Sequence, residues 1–306
     1  MTERTPRRAL SAWQLWFVVL GAIWGCSFWW IKLGLVVLSP IDVAFTRLAL
    51  GALTLLVIAA ATRSALPRSK GTWGHLFAVA ALLNSVPFTL FSYGETHVSS
   101  VLAGLINAFT PIATLIVVLF VWRLEKPSAP LLGGLGLGLA GVVVLIGVWR
   151  GFGASQWLGI VACLGAVACY GFGFPYARRH LSDRGAPTSL ATGQVLCGTA
   201  QLAPFALLFG HVHHRHPASS LLGLAALGVL GTGVAYIMNF HIVRHAPASV
   251  VSSVTYLTPV FAALVGVSFL GESLSWNQPL GALLILLGAA LAQGRLRRRV
   301  AVRASA

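Results

Sequence analysis

The chain has 306 residues, of which 57% are hydrophobic and only 9% are charged. Soluble domains carry about 25% charged residues, so this composition excludes a soluble enzyme, a disordered chain and a coiled coil. The net charge of +15 does not indicate a nucleic-acid partner, because the basic residues lie in short clusters between long apolar runs and not on one face of a soluble fold.

The apolar runs are long enough to cross a membrane, which takes about 20 mostly apolar residues in a helix. They lie at about 14–36, 42–62, 73–93, 100–122, 129–149, 157–177, 188–209, 219–240, 247–270 and 278–295. The first run is too long for a signal-peptide core and is followed by nine more, so we expect the chain to retain it. The sequence therefore predicts an all-α integral membrane protein with ten transmembrane helices.

The basic residues between the runs predict the orientation of the helices. With the N-terminus in the cytoplasm, seventeen of the 21 lysines and arginines fall in cytoplasmic segments, and only Arg150 and Arg215 fall in outer ones. Cytoplasmic loops of membrane proteins carry such an excess. We therefore expect a multi-pass protein of the cell (inner) membrane, with both termini cytoplasmic.

The sequence also resembles itself at an offset of about 147 residues, in an ordered series of matches that indicates a duplication. The matches are Trp24-Gly25 with Tyr170-Gly171, His97 with His245, Thr110-Pro111 with Thr258-Pro259, Glu125 with Glu272, Gly134 with Gly281, Gly141 with Gly288 and Gly147 with Gly294. The repeated five-helix units span 14–149 and 157–295. Because five is odd, the two units are expected to be inverted in the membrane, as in secondary transporters that bind substrate near the midplane.

These residues resemble the EamA family of the drug/metabolite transporter superfamily over nearly the whole chain. The features that carry the resemblance are the first-helix stretch 21–28, Pro40 and Arg47 in the second helix, the two Thr-Pro pairs, and Glu125 and Glu272 ahead of glycine-spaced helices. The resemblance implies a ten-helix inner-membrane carrier, often an exporter of amino acids or other small metabolites. It does not specify a substrate, because the family is broad.

Polar, aromatic and proline residues within the runs are the candidates for a substrate path. Pro111 and Pro259 hold equivalent positions and are expected to break their helices and to act in gating, the alternative being a kink that the neighbouring threonine hydroxyl stabilises. The substrate-binding candidates are Trp24, Ser27, Arg47, Asn84, Asn107, Thr110, Tyr170, Tyr236 and Thr255. For each of them, a hydrogen bond between helices is the alternative to a ligand contact.

Lys32 and Arg47 are the basic residues inside the runs, both near the predicted outer helix ends. We expect Lys32 to reach the interface by snorkelling, and Arg47 to act in binding or gating with Asp42 or Glu95 as a partner. No carboxylate lies deep in a run, which argues against proton-coupled export of cationic drugs. A neutral, zwitterionic or anionic metabolite is favoured.

The sequence lacks a P-loop, an HExxH motif and a GxSxG elbow, so we expect no cofactor, no metal and no catalytic centre. The histidine-rich tract 211–216 is expected to be a solvated outer loop, with metal binding as the alternative. Glycine stripes in the fifth and tenth helices predict close helix packing. Dimerisation through these stripes is the alternative, and a monomer is favoured.

The leading hypothesis is a secondary transporter of small metabolites, such as amino acids or related compounds, acting in efflux by alternating access. Its expected partners are a small-molecule substrate and the lipid bilayer. The alternative is an integral membrane enzyme that acts on a lipid-linked substrate. That alternative requires a polar cluster at one interface, for which Asp42, Glu95 and His97 are the candidates.

Overall fold

The computed structural model describes residues 12–123, 126–151, 153–182, 184–213, 217–239, 254 and 257–304, without the side chains of 12–14 and 293–304. Within these residues the regular secondary structure is helical, apart from one isolated bridge between Leu38 and Val212. The helices described there are α1 (Ala12–Leu35), α2 (Pro40–Ala61), α3 (Lys70–Gly94), α4 (Ser100–Val121), α5 (Ala129–Arg150), α6 (Ala154–Leu181), α7 (Pro187–Phe209), α8 (Ala218–Asn239), α9 (Thr258–Leu270) and α10 (Asn277–Ala304).

Helices α1 to α8 are long and apolar enough to cross a membrane, whereas the apolar segments of α9 and α10 are shorter, at Thr258–Leu270 and Asn277–Ala292. The apolar runs predicted from the sequence agree with the ends of α1 to α8 to within four residues. Most of the ninth run before residue 257 lies outside the described residues. The chain is therefore an all-helical, multi-pass membrane protein.

Local sequence signals set several helix ends. The Ser39 side chain accepts a hydrogen bond from Asp42 N ahead of Pro40, and Ser99 Oγ accepts one from Leu102 N at 3.1 Å. Such caps satisfy amide groups that the first helical turn leaves without partners. Gly147 and Gly271 follow α-helical segments with φ of +71° and +65°, a left-handed conformation that glycine adopts without steric cost.

The contacts between the helices come in matched pairs. Helix α1 packs on α8 and α9, and α6 packs on α3 and α4. Helices α2 and α7, α4 and α9, and α5 and α10 pack on each other. Exchanging each helix for the one five places away along the chain leaves this set of pairs unchanged, which is the pattern that a duplicated five-helix unit would produce.

The glycine stripes of α5 and α10 face each other within the chain. A Cβ atom added to Gly288 would lie 2.6 Å from Gly134 O, and one added to Gly141 would lie 2.7 Å from Ile285 N. Small residues therefore allow the two backbones to approach closely, as the glycine spacing predicts. Because each stripe covers the other, neither offers an open surface for dimerisation.

The connections form two groups at opposite ends of the bundle. At one end, which we call the tied end, the connections α1–α2, α3–α4, α7–α8 and α9–α10 lie close together. Polar bonds join them or their flanking helices: Ser39 N to His211 O at 3.0 Å, His213 N to Val37 O at 2.8 Å, Lys32 Nζ to Val98 O at 2.9 Å and Ser100 N to Glu272 Oε1 at 2.8 Å.

The other group, which we call the basic end, contains the connections α2–α3, α4–α5 and α6–α7. Its described basic residues are Arg63, Arg68, Lys70, Arg123, Lys126, Arg178, Arg179 and Arg184. Aromatic side chains join its helices, with Tyr176 OH 3.0 Å from His75 Nδ1 and the Trp122 ring centroid 6.3 Å from that of Tyr176.

Candidate functional site

Of the three π-helical turns in the described residues, two lie at equivalent places in the two halves, and the third lies at Val117–Val121 in α4. Of the equivalent pair, one lies in α3 at Ala81–Ser85 and the other in α8 at Val229–Val234. Asn84 in the first and Thr232 in the second are 148 residues apart, and both side chains are fully buried. A π turn places one extra residue in the helix and is frequent at functional sites. The two turns therefore direct polar side chains into the interior.

Arg47 of α2 is buried and reaches the π turn of α8. Its Nε donates to Thr232 Oγ1 at 3.1 Å, and its Nη2 lies 3.5 Å from Gly231 O. The guanidinium carbon lies 3.7 Å from the centroid of the Phe88 ring, in cation–π geometry. These three neighbours are uncharged, so they orient the guanidinium without neutralising it.

Gln194 of α7 makes the corresponding contact with the π turn of α3. It lies 147 residues after Arg47, and its Nε2 donates to Asn84 Oδ1 at 2.6 Å. Asn84 Nδ2 in turn donates to the hydroxyl of Tyr236 at 2.5 Å. Tyr236 lies 148 residues after Phe88, so the second set repeats the first with an amide in place of the guanidinium.

The two sets together form a polar centre that joins both halves of the chain. We use this name for Arg47, Asn84, Phe88, Gln194, Thr232 and Tyr236. The hydroxyls of Tyr236 and of Tyr170 in α6 lie within electrostatic range of the guanidinium. Among the described residues no carboxylate forms an ion pair with Arg47. The centre thus holds the buried positive charge of Arg47, which no ion pair with a described residue neutralises. An anion placed beside this charge would be attracted to it.

The comparisons with known proteins agree with this architecture. The model of the EamA-like transporter family matches residues 11–147 and again residues 157–293. The chain belongs to the EamA-like transporter family.

Relatives of this EamA-like transporter extend over most of its length. It is 29% identical to the uncharacterized transporter YvbV of Bacillus subtilis, over 90% of this chain and 89% of that protein. It is 27% identical to an uncharacterized transporter of Archaeoglobus fulgidus, over 87% and 92% of the two chains. The uncharacterized inner membrane transporter YedA of Escherichia coli is 26% identical, over 83% and 81%. A solved crystal structure with 21% identity and a TM-score of 0.66 covers 95% of this chain and 99% of its own, which shows a shared fold.

The polar centre of this EamA-like transporter contains three of the predicted site residues, Arg47, Asn84 and Tyr236, with Tyr170 in electrostatic range. Ser27 lies beside it: its Oγ donates to Ile23 O at 3.1 Å and would be 3.0 Å from a Cβ atom on Gly231. Trp24 does not join the centre, because it packs in an apolar cluster that contains Leu20, Ala235 and Met238. Thr255 lies outside the described residues.

The proline of the fourth helix stands at a break in this transporter's structure. Helix α4 turns at residues 108 and 109 and resumes as Thr110–Ile116, with Pro111 in its first turn. Thr110 Oγ1 donates to Asn107 O at 2.8 Å and lies 3.3 Å from Asn107 Oδ1. The Thr110 hydroxyl therefore forms its hydrogen bonds within the break. This is the arrangement expected of a kink that the threonine hydroxyl stabilises, which was the alternative to a gating role.

The equivalent proline stands at the start of α9. Pro259 lies in the first turn of Thr258–Leu270, and two equivalent glycines pack beside the two proline segments. A Cβ atom added to Gly25 would lie 2.8 Å from Thr258 O, and one added to Gly171 would lie 3.0 Å from Ala113 O. The first helix of each half thus packs closely on the proline segment of the other half.

Of the two partners expected for Arg47, Asp42 is wrong, whereas Glu95 lies in electrostatic range of it. Asp42 Oδ2 accepts hydrogen bonds from Ser39 Oγ and His211 N, both at 2.7 Å, and so belongs to the tied end. Arg47 lies seven residues into α2, about two helical turns, and its side chain crosses to α8 instead of returning toward the helix start. Glu95 lies in electrostatic range of Arg47 but forms no ion pair with it in the described structure.

Lys32 and Glu95 meet at the tied end. The Lys32 ammonium donates to the main-chain oxygens of Glu95 and Val98 in the α3–α4 connection, and its position relative to the membrane interface stays a prediction. Glu95 follows the last residue of α3, yet its side chain is 0% exposed. Glu95 thus lies at a helix end, as the sequence places it, but neighbouring helices cover it, and this burial was not predicted.

The site residues predicted from the sequence do not include three members of the polar centre, Gln194, Thr232 and Phe88. A signal for Gln194 was available, since its offset of 147 from Arg47 matches the offset of the repeat. The same is true of Phe88, whose offset from Tyr236 is 148. The His211–His216 tract shows no metal cluster in the part of the chain that the structure describes, which includes His211 and His213.

Proposed function

We propose that this protein is a secondary transporter that exports small metabolites carrying an anionic group, such as amino acids or related zwitterionic and anionic compounds. The observation that carries the proposal is Arg47, buried between the two halves with neutral partners only among the described residues. Membership of the EamA-like family supports transport itself.

The physical argument concerns the cost of a buried charge. An ion inside a protein loses hydration worth several kcal/mol, which a nearby counter-charge can offset. The neighbours of Arg47 provide one hydroxyl, one carbonyl and one aromatic face. A substrate carboxylate would supply the missing charge through bidentate hydrogen bonds, which suit the planar guanidinium.

The amide set would receive the uncharged part of the substrate. Gln194, Asn84 and Tyr236 already satisfy one another through two short hydrogen bonds. Such a satisfied neutral network costs little when it is buried and still offers donors and acceptors at its edge. Substrate orientation would follow, with the anionic group at Arg47 and the remainder toward Asn84.

Alternating access is proposed on the basis of the helix pairs. They support a ten-helix bundle of two inverted five-helix repeats, 14–149 and 157–295, with the polar centre between them. One half would rock against the other around this centre. The basic end would face the cytoplasm, as the charge bias of cytoplasmic loops favours, with Pro111 and Pro259 as hinge positions.

The enzyme alternative receives little support from the tied end. His97 Nδ1 pairs with Ser155 Oγ at 2.8 Å, Asp42 caps the α1–α2 connection, and Glu95 points into the interior. The three side chains that a lipid-modifying site would combine therefore serve different contacts. We propose that the protein is a carrier and not an enzyme.

A flux assay in proteoliposomes tests the proposal. Purified protein is reconstituted and preloaded with amino acids that are anionic, zwitterionic or cationic at pH 7, and exchange is measured at imposed pH and voltage gradients. We expect exchange of zwitterionic or anionic compounds that Arg47→Gln lowers by about 10- to 100-fold. Arg150→Gln, a change at an exposed arginine, should leave it intact. Exchange confined to cationic compounds, or no exchange of any compound, would overturn it.

A further inference from the structure

Glu95 has an environment that the transport site does not explain. Its side chain is fully buried, and neither carboxylate oxygen has a hydrogen-bond partner among the described residues. Buried polar groups in native proteins almost always have such a partner. A carboxyl group without donors is far easier to bury in its neutral, protonated form than as an anion.

A second glutamate at the same end shows the contrast. Glu272 accepts hydrogen bonds from Ser100 N at 2.8 Å, Ser100 Oγ at 3.0 Å and Val101 N at 2.8 Å. Three donors at the start of α4 thus satisfy the oxygens of that carboxylate. Glu95 lies nearby and receives none, so hydrogen bonds offset the burial of Glu272 and not that of Glu95.

The charged and titratable groups around Glu95 come from four other segments of the chain. They are Lys32 on α1, Arg47 on α2, Cys163 on α6 and Glu272 in the α9–α10 connection. The Lys32 ammonium donates to main-chain oxygens, including Glu95 O, and not to the carboxylate. Burial raises the pKa of the Glu95 carboxyl well above its ordinary range; Lys32 and Arg47 oppose this increase and Glu272 adds to it.

We propose that Glu95 is a proton-binding site whose occupancy is coupled to closure of the tied end. The reaction is the addition of one proton to the carboxylate, giving a neutral carboxyl group with no other bond made or broken. The proposal rests on the proposed function, since it requires the tied end to open and close during transport.

The coupling follows from the bonds that cover Glu95. Lys32 joins α1 to the segment 95–98, Glu272 joins the α9–α10 connection to α4, and the Trp29 ring stacks on Phe269 at 4.8 Å. Opening the tied end separates these groups and admits water to Glu95. The carboxyl then returns toward its ordinary pKa of about 4.3 and releases its proton.

The direction of the linkage between protonation of Glu95 and closure of the tied end follows from the difference in pKa between the closed and open forms. A carboxyl group whose pKa is higher in the closed form favours closure at low pH. This preference is lost as the pH rises through the closed-form pKa. Each closing of the tied end therefore takes up a proton, and each opening releases one.

Infrared spectroscopy of the full-length protein in lipid tests the site without any substrate. At pH 7 we expect the carbonyl stretch of a protonated carboxyl, which fades as the pH rises. Glu95→Gln should abolish this band, while Glu272→Gln, the matched control, should retain it. Glu95→Asp keeps the acid and should retain a band with a displaced titration, which guards against a folding defect in the amide variant. Absence of the band at pH 7, or its persistence in Glu95→Gln, would overturn the proposal.

A distance measurement tests the coupling. Spin labels are placed at Val36 and Leu274, two exposed residues in different connections of the tied end. Raising the pH should increase the population of the longer distance in the parent protein, and Glu95→Gln should hold the shorter distance at every pH. An identical pH response in both proteins would refute the coupling. Because neither experiment needs flux, a wrong substrate class would leave both results unaffected.

Discussion

The two sets of residues that form the polar centre have the same geometry but different charge. In the guanidinium set, Arg47 bonds to Thr232 and covers the Phe88 ring. In the amide set, Gln194 bonds to Asn84, which bonds to Tyr236. Each residue of one set has its counterpart in the other at an offset of 147 or 148. The duplicated fold thus provides a symmetric frame.

The difference between the guanidinium set and the amide set shows how a symmetric arrangement of helices can bind an asymmetric ligand. The amide set is complete without a ligand because its donors and acceptors match. The guanidinium set is not, because its neighbours provide no negative charge. A single substitution at one of two equivalent positions is therefore enough to give the centre a polarity.

The largest expected effect follows from making the two halves alike. Arg47→Gln removes the positive charge and should reduce exchange of anionic and zwitterionic substrates by about 10- to 100-fold, since hydrogen bonds to charged groups contribute about 1.5–3 kcal/mol. Counterflow in proteoliposomes measures the change. Arg47→Lys, which keeps the charge without the planar fork, should retain part of the activity.

Moving the charge to the equivalent position sharpens the comparison. In the double variant Arg47→Gln with Gln194→Arg, we expect exchange to recover to a level between those of the parent protein and Arg47→Gln. The reason is that the introduced guanidinium lies at the same place in the frame, beside Asn84. A double variant no more active than Arg47→Gln, despite an unchanged melting temperature, would show that the halves are not interchangeable.

Gln194→Leu should destabilise the amide half by about 1–3 kcal/mol, because Asn84 Oδ1 would lose its donor while remaining buried. Thermal unfolding in detergent measures this change. Thr199→Val is the matched control, since Thr199 lies on the same helix and its hydroxyl bonds to Val195 O within that helix at 2.9 Å. An equal loss of stability in both variants would contradict the prediction that the buried amide set depends on the Gln194–Asn84 hydrogen bond.

Alanine substitutions at the equivalent glycines Gly25 and Gly171 should give smaller losses of stability, of unequal size. Gly25→Ala places a methyl group 2.8 Å from a main-chain oxygen and should cost about 1–3 kcal/mol of stability. Gly171→Ala, with 3.0 Å to its nearest main-chain atoms, should cost less. Melting temperatures of the two variants test the order, and a reversed order would contradict the packing described here.

A last expected effect concerns pH. Because burial raises the pKa of Glu95 in the folded protein, its contribution to stability is present at low pH and is lost as the pH rises through that raised value. Between about pH 5 and about pH 8, the melting temperature of the parent protein should fall more than that of Glu95→Gln. Parallel curves of melting temperature against pH for the two proteins would contradict the burial of this carboxyl without hydrogen-bond partners.

The sequence predicted part of the site because polar residues within apolar runs are few and conspicuous. Arg47, Asn84 and Tyr236 were recognised on that ground, and all three lie in the polar centre. Gln194 and Thr232 were missed because an amide and a hydroxyl attract little notice in a helix. Their importance depends on two π turns, which shift side-chain direction by one residue and leave no clear mark in a hydropathy pattern.

By itself the sequence determined the membrane location, the ends of eight helices and the ordered series of matches between the two halves. These features depend on composition within short segments, on caps and on the spacing of repeated residues, all of which are local. Only the tertiary structure decided the partners of Arg47 and Lys32 and the burial of Glu95. Those outcomes depend on which helices cover a given residue, and neighbours contributed by distant segments cannot be read from the residue's own surroundings in the chain.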